Sequence, residues 1–198
     1  MLDSKNEEFD YICIDSTGIQ IYTGNEWLEN KHGKQYLRRI WKKLHIATGN
    51  NGIITGSATT PHNKDDRSQV EELLKNVKTK EVLCDRGYDG ENIYQMIRSK
   101  GMKPTIRPPN GLGAKKTKTE RQQSAAYQQQ TKGYYAWRNK NKYGRRELVV
   151  NTFFRFKSSF GSKFLSRDED NMKNEMIIKC QLLNKIFEIG KPISVRYA

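Results

Sequence analysis

The sequence predicts an α/β fold: a mixed five-stranded sheet flanked by helices, with a basic insertion before the late helix. Three observations predict it. Short apolar runs of strand character, bounded by turn residues, fill the first half of the chain. From Asp66 onward helical and strand patterns alternate. The last third carries helical periods with start and stop signals.

The elements follow in order. Tyr11–Asp15 reads as a strand, Ser16-Thr17-Gly18 as a turn, and Ile19–Thr23 as a second strand, which predicts a hairpin. Lys43–Thr48 and Gly52–Ala58 flank Gly49-Asn50-Asn51 and predict another. A helix begins at Asp66, whose side chain can cap the first turn, with Val70, Leu73, Leu74 and Val77 as its apolar stripe. Glu81–Cys84 is a strand of the buried kind. Gly90–Lys100 is a helix with Ile93, Met96 and Ile97 inward and Gly101 as its stop. Lys103–Arg107 is a short strand ended by Pro108-Pro109. Gly111 to Tyr143 shows no sustained apolar period and reads as a loop or insertion with some helix around Glu120–Gln130. Arg145–Phe160 is helical and stops at Gly161. A last helix runs from about Asp168 to Glu188, with acids at its positive end.

Composition narrows the function. The 198 residues carry 36 Lys+Arg against 22 Asp+Glu, a formal charge of +14. That length suits one domain, residues 1–198, with residues 110–144 inserted in it. No apolar run approaches the ~18 residues of a membrane span, and the acidic, polar start is unlike a secretory signal. Cys13, Cys84 and Cys180 are an odd, scattered set inside apolar runs, so they read as reduced core thiols. His32, His45 and His62 lack metal-ligand spacing, and His45 reads as a sheet residue. The bases cluster: six Lys/Arg and no acid between Lys31 and His45, and ten against one acid between Ala114 and Arg146. The second cluster also holds Tyr127, Tyr134, Tyr135, Trp137 and Tyr143. Bases interleaved with aromatics suit a nucleic acid, and equally a solvated segment that orders on binding one.

Asp15 ends the first strand and Asp85 the fourth. Each taken singly is also a turn cap. Together, at matching strand ends of a basic chain, they favour a metal site. Adjacent carboxylates repel, and a divalent cation such as Mg²⁺ relieves that repulsion while keeping waters free for phosphate substrates. This order of elements is similar to that of the ribonuclease H-like fold, where the first strand, the fourth strand and a late helix bring carboxylates together.

Four segments carry a closer resemblance: Ile14-Asp15-Ser16-Thr17; Arg39 through His45; Asp85-Arg86-Gly87-Tyr88-Asp89; and Tyr143 through Asn184. The chain resembles bacterial insertion-sequence transposases of the DDE type, in the branch (insertion-sequence families four and five) with a Tyr-x2-Arg-x3-Glu-x6-Lys signature. Tyr143, Arg146 and Lys157 take their places in it, while the glutamate slot holds Val150. All four positions fall on one helical face. Glu147 lies one turn earlier, ~60° around the helix, and is the nearest substitute. Its other reading is an acid favoured by the helix dipole.

The resemblance implies a catalytic and metal-binding set of Asp15, Asp85 and Glu147, and Mg²⁺ or Mn²⁺ as cofactor. It implies double-stranded DNA (element ends and target) as partner. Arg146 and Lys157 would grip phosphates and Tyr143 would stack on a base or sugar. Arg38, Arg39, Lys42 and Lys43 would track the backbone. The reaction implied is hydrolysis at the element end, then attack of the freed 3′-hydroxyl on target DNA. A homodimer on paired ends, a cytoplasmic and nucleoid-associated location, and no membrane go with it. Relatives carry an N-terminal helical DNA-end-binding region, so an upstream region or a second-frame product is an expected partner. Val150 favours one alternative, a DNA-binding remnant without turnover; a structure-selective nuclease on the same fold is another.

Overall fold

A computed structural model describes residues 8–21, 41–109, 118–130 and 133–190. Five strands form one mixed sheet: β1 (Glu8–Gln20), β2 (Trp41–Gly49), β3 (Ile54–Pro61), β4 (Lys78–Cys84) and β5 (Lys103–Ile106). Their order is β3-β2-β1-β4-β5. The first three run antiparallel in a meander, and β4 and β5 add in parallel to β1. This is the ribonuclease H-like arrangement that the element order predicts.

Successive strand residues face opposite sides of a sheet, so the apolar runs feed two cores. Ile12, Ile14, Val82 and Cys84 face one side. There they meet α1 (Val70–Leu73) and α2 (Glu91–Ser99) through Val70, Leu73, Ile93 and Ile97. Cys13, Leu44, Ile46 and Leu83 face the other. They meet α5 (Glu147–Phe160) and α6 (Glu169–Gly190) through Val149, Phe153, Phe156, Met176 and Cys180. Between α2 and α5 lie α3 (Glu120–Gln130) and α4 (Tyr134–Lys140). Sheets buried on both faces explain why β1 and β4 read as apolar runs rather than alternating ones. Among the described residues no helix is long and apolar enough to cross a membrane.

The hairpin predicted at Ser16-Thr17-Gly18 is not there: β1 runs through it unbroken. Ser16, Thr17 and Gly18 pair with His45, Leu44 and Lys43 of β2, so their backbone groups find ladder partners. The missing side chain of Gly18 admits the Trp41 ring, since a Cβ there would sit 3.2 Å from Trp41 Cε3. Turn propensity yields to a long partner strand. The hairpin of β2 and β3 and the helix α2 form as expected.

The predicted helix from Asp66 is shorter and capped by its neighbour. Asp65, not Asp66, accepts from the Arg67 amide. A 3-10 turn (Asp66–Gln69) leads into α1, and Val77 is buried beyond its end. Asp66 instead accepts from Ser16 Oγ at 3.0 Å and Lys43 Nζ at 2.8 Å. The basic stretch holds more structure than a loop. Trp137 of α4 is 1% exposed and packs edge-on against Tyr143, ring centroids 4.9 Å apart. The helix expected from Arg145 starts at Glu147, after a 3-10 turn (Tyr143–Arg146). All three cysteines are buried free thiols.

Candidate active site

Sheet register brings the two aspartates together. Ile14 of β1 and Cys84 of β4 are parallel partners, and the next residue on each strand is Asp15 and Asp85. Asp15 stays in the ladder opposite Ile46, on the face covered by α5 and α6. Asp85 leaves the sheet into a 3-10 turn (Arg86–Tyr88), and its Oδ1 accepts from the Gly87 amide at 2.7 Å. So Asp85 is the turn cap that its sequence setting allows, and its Oδ2 remains for other work. Gly87 keeps that turn tight, because a Cβ there would lie 3.0 Å from Asp85 Oδ1.

One nitrogen reaches both carboxylates. Arg146 Nη2 donates to Asp15 Oδ2 at 2.6 Å and lies 3.8 Å from Asp85 Oδ2. The two oxygens are therefore no more than about 6.4 Å apart, the sum of those two distances. Burial pushes the Asp15 carboxyl above its ordinary range, and Arg146 and the Ser16 amide pull it part of the way back. Burial also opposes the charge of Arg146, but Asp15 and Asp85 more than offset it and hold the guanidinium protonated.

Tyr143 and Lys157 of the signature reach the same two strands. Tyr143 is buried, and its hydroxyl donates to the Cys84 carbonyl at 2.9 Å. That placement corrects its expected role, since a ring held in the core against Trp137 has no free face for a base. Lys157 Nζ donates to Thr17 Oγ1 at 2.7 Å, two residues beyond Asp15. Val150 is 48% exposed on the same helix.

Glu147 does not join the aspartates. Its side chain is 72% exposed and pairs with Arg138 at 2.6 Å. Among the described residues no three Asp, Glu, His or Cys side chains gather where one ion could bind them all. The expectation that Glu147 completes the set is corrected, because it stands apart from Asp15 and Asp85. The physical reason is that neighbouring residues point ~100° or more apart around a helical backbone, so the turn that aims Arg146 inward turns Glu147 to solvent. Two adjacent oxygen-donor side chains, with one cationic group balancing them, fit a single hard cation that draws its remaining ligands from water and phosphate.

The bases predicted to track DNA are partly engaged within the chain. Lys42 pairs with Glu169 at 2.6 Å and Lys43 with Asp66 at 2.8 Å. Arg38 and Arg39 lie outside the described residues. His45 is fully buried, with Nε2 2.7 Å from Thr60 Oγ1, as a sheet residue should be. Two buried carboxylates escaped the sequence reading. Asp89 receives three bonds from the Arg121 fork, which ties α3 to the turn after Asp85. Burial opposes the charge of Glu81, yet Thr105, Lys103 and Arg145 hold its carboxyl below the ordinary range. Asp89 stands in a polar turn and Glu81 at the head of the Glu81–Cys84 run, and neither setting marks it as a buried ion-pair partner.

Solved structures similar to the chain include the catalytic core domain of BIV integrase. Identity is 9% over 94% of this chain and 87% of that one, with a TM-score of 0.40. Another is the piggyBac transposase in a synaptic complex with hairpin DNA. There identity is 13% over 58% of this chain and 27% of that one, with a TM-score of 0.34. The family model described as the transposase DDE domain matches residues 8–185. That match runs from the first described strand to within five residues of the end of the last helix, and so this chain belongs to the transposase DDE domain family.

Proposed function

We propose that this chain, as one domain with residues 110–144 inserted, acts on double-stranded DNA as a transposase catalytic domain. It cleaves element ends and transfers the strands to a target. Asp15 and Asp85 would hold one Mg²⁺ or Mn²⁺. The observation that carries this reading is the pairing of Ile14 with Cys84, which sets two carboxylates side by side where the parallel pairing of β1 with β4 ends. A bound cation would supply Lewis-acid stabilisation of phosphoryl oxygens and a more acidic attacking water.

The chain's own residues do the rest. Lys157, held toward the Asp15 strand by Thr17, offsets phosphate charge as a point cation. Lys42 and Lys43, with Arg38 and Arg39, follow the backbone once DNA phosphates compete for their present carboxylate partners. Val150 leaves the third ligand position apolar, so turnover is weak relative to a three-carboxylate site.

A nicking assay tests the reading. Labelled element ends with Mn²⁺ should be nicked slowly by the wild type and not by Asp15→Asn or Asp85→Asn. Equal nicking by all three would refute it. Exposed Glu147 and Val150 favour a second reading, a DNA-binding remnant. Salt-dependent DNA binding unchanged in both variants, with no cleavage by any, would select it. Cutting without any strand joining would select a nuclease.

A further inference from the structure

Three arginines of similar exposure pair with acids in or shortly after β1 and β4, and they are held very differently. The side chains of Arg121, Arg145 and Arg146 are 23%, 28% and 21% exposed. Arg121 spends its fork on Asp89 through three bonds. Arg145 bonds to Glu81 and to the carbonyls of Lys142 and Asn141. Among the described residues Arg146 makes a single hydrogen bond, Nη2 to Asp15, with Asp85 at 3.8 Å beyond it. Its Nε is buried and has no partner among the described residues. A buried donor without a partner is costly.

We infer that Arg146 is a positioning residue that serves as the counter-ion of Asp15 and Asp85 in the cation-free protein, and that it competes with a divalent cation for Asp15 Oδ2. This rests on the cation site proposed above. Two carboxylates this close in a half-buried site need a positive charge between them, and Arg146 Nη2 lies where both can use it. The backbone that carries it does not have to move. The Tyr143 hydroxyl anchors the turn to Cys84, and α5 packs into the core through Val149 and Phe153. Only the side chain exchanges. Its weak purchase, one bond and an orphaned Nε, lets a cation displace it. Once displaced, the guanidinium is free for a phosphate oxygen, an acceptor that its planar fork matches.

The experiment is a Mn²⁺ titration followed by electron paramagnetic resonance, with melting curves, on the wild type, Arg146→Gln, Arg146→Lys and Asp15→Asn. Without metal, Arg146→Gln should melt several degrees below the wild type. It should bind Mn²⁺ at least tenfold more tightly, about 1.4 kcal/mol, and Mn²⁺ should restore its lost melting temperature. Arg146→Lys, which keeps the charge, should stay within about threefold of the wild-type affinity. A merely structural arginine would lower stability and Mn²⁺ affinity together. Should Arg146→Gln fail to fold, the wild type itself decides: the ¹⁵Nε signal of Arg146, assigned by its loss in Arg146→Lys, should shift on saturation with Mg²⁺. Mn²⁺ binding that depends on Asp15 but is no tighter in folded Arg146→Gln, or a Nε signal unmoved by Mg²⁺, overturns the inference and leaves the cation site standing. If no protein binds Mn²⁺, the cation site itself fails, and the inference with it.

Discussion

The hydroxyl of Tyr143 donates to the backbone carbonyl of Cys84 at 2.9 Å, across 59 positions of sequence. Cys84 is the last residue of β4, and Asp85 follows it. The bond therefore fastens the turn before α5 to the strand end that presents one of the two site carboxylates. Through that turn it also sets where Arg146 starts.

Tyr143→Phe keeps the ring against Trp137 and removes only this bond. It leaves a buried carbonyl short of one donor, so it should cost about 1–2 kcal/mol of unfolding free energy. Urea denaturation checks the magnitude. DNA affinity of the folded variant should match the wild type, because the hydroxyl is spent on Cys84; a loss of tenfold or more would show that the hydroxyl contacts DNA.

Val150→Glu places a carboxylate on the helical face shared with Arg146 and Lys157. The side chain is half exposed, so the change should cost little stability, within ~0.5 kcal/mol. Nicking of labelled element ends in Mn²⁺ should rise by at least tenfold over the wild type. A rate unchanged by this substitution would mean that position 150 does not face the reacting phosphate.

Gly56 of β3 lies under the end of α1. A Cβ at this position would meet the Leu73 carbonyl oxygen at 2.9 Å, and backbone cannot swing aside. Gly56→Ala should destabilise by about 1–3 kcal/mol, read as a lower melting temperature. Gly101→Ala is the contrast: nothing lies within 4 Å, but φ is +78°, so strain rather than a clash sets its cost.

Glu175 of α6 supports acid-dependent stability away from the site. Burial works against its charge, but Lys179 at 2.6 Å and the Leu165 and Ser166 amides bring its carboxyl down to about 2. A carboxyl lowered on folding stabilises the protein above its unfolded value, near 4.5, and that support fades as pH falls toward 2. Glu175→Gln should cost on the order of 1–3 kcal/mol at pH 7 and less at pH 3. Unfolding curves at the two pH values should therefore converge for wild type and variant.

The sequence by itself determined the elements with strong local signals. The turn Gly49-Asn50-Asn51 set the β2–β3 hairpin, the stripe through Ile93 and Ile97 set α2, and Asp168 with the acids after it set the start of α6. It also placed Asp85 just beyond a strand end and showed an apolar residue in the glutamate slot, whereas Asp15, expected at a strand end, lies within β1. Only the tertiary structure decided that β1 runs straight through Ser16-Thr17-Gly18, that Arg146 turns to Asp15 while Glu147 turns to Arg138, and that Trp137 and Tyr143 belong to the core. Caps and turns act within a few residues and leave a readable trace. The partner of a strand, or of a buried arginine, lies many positions away, and chain packing selects it from groups that look alike in sequence.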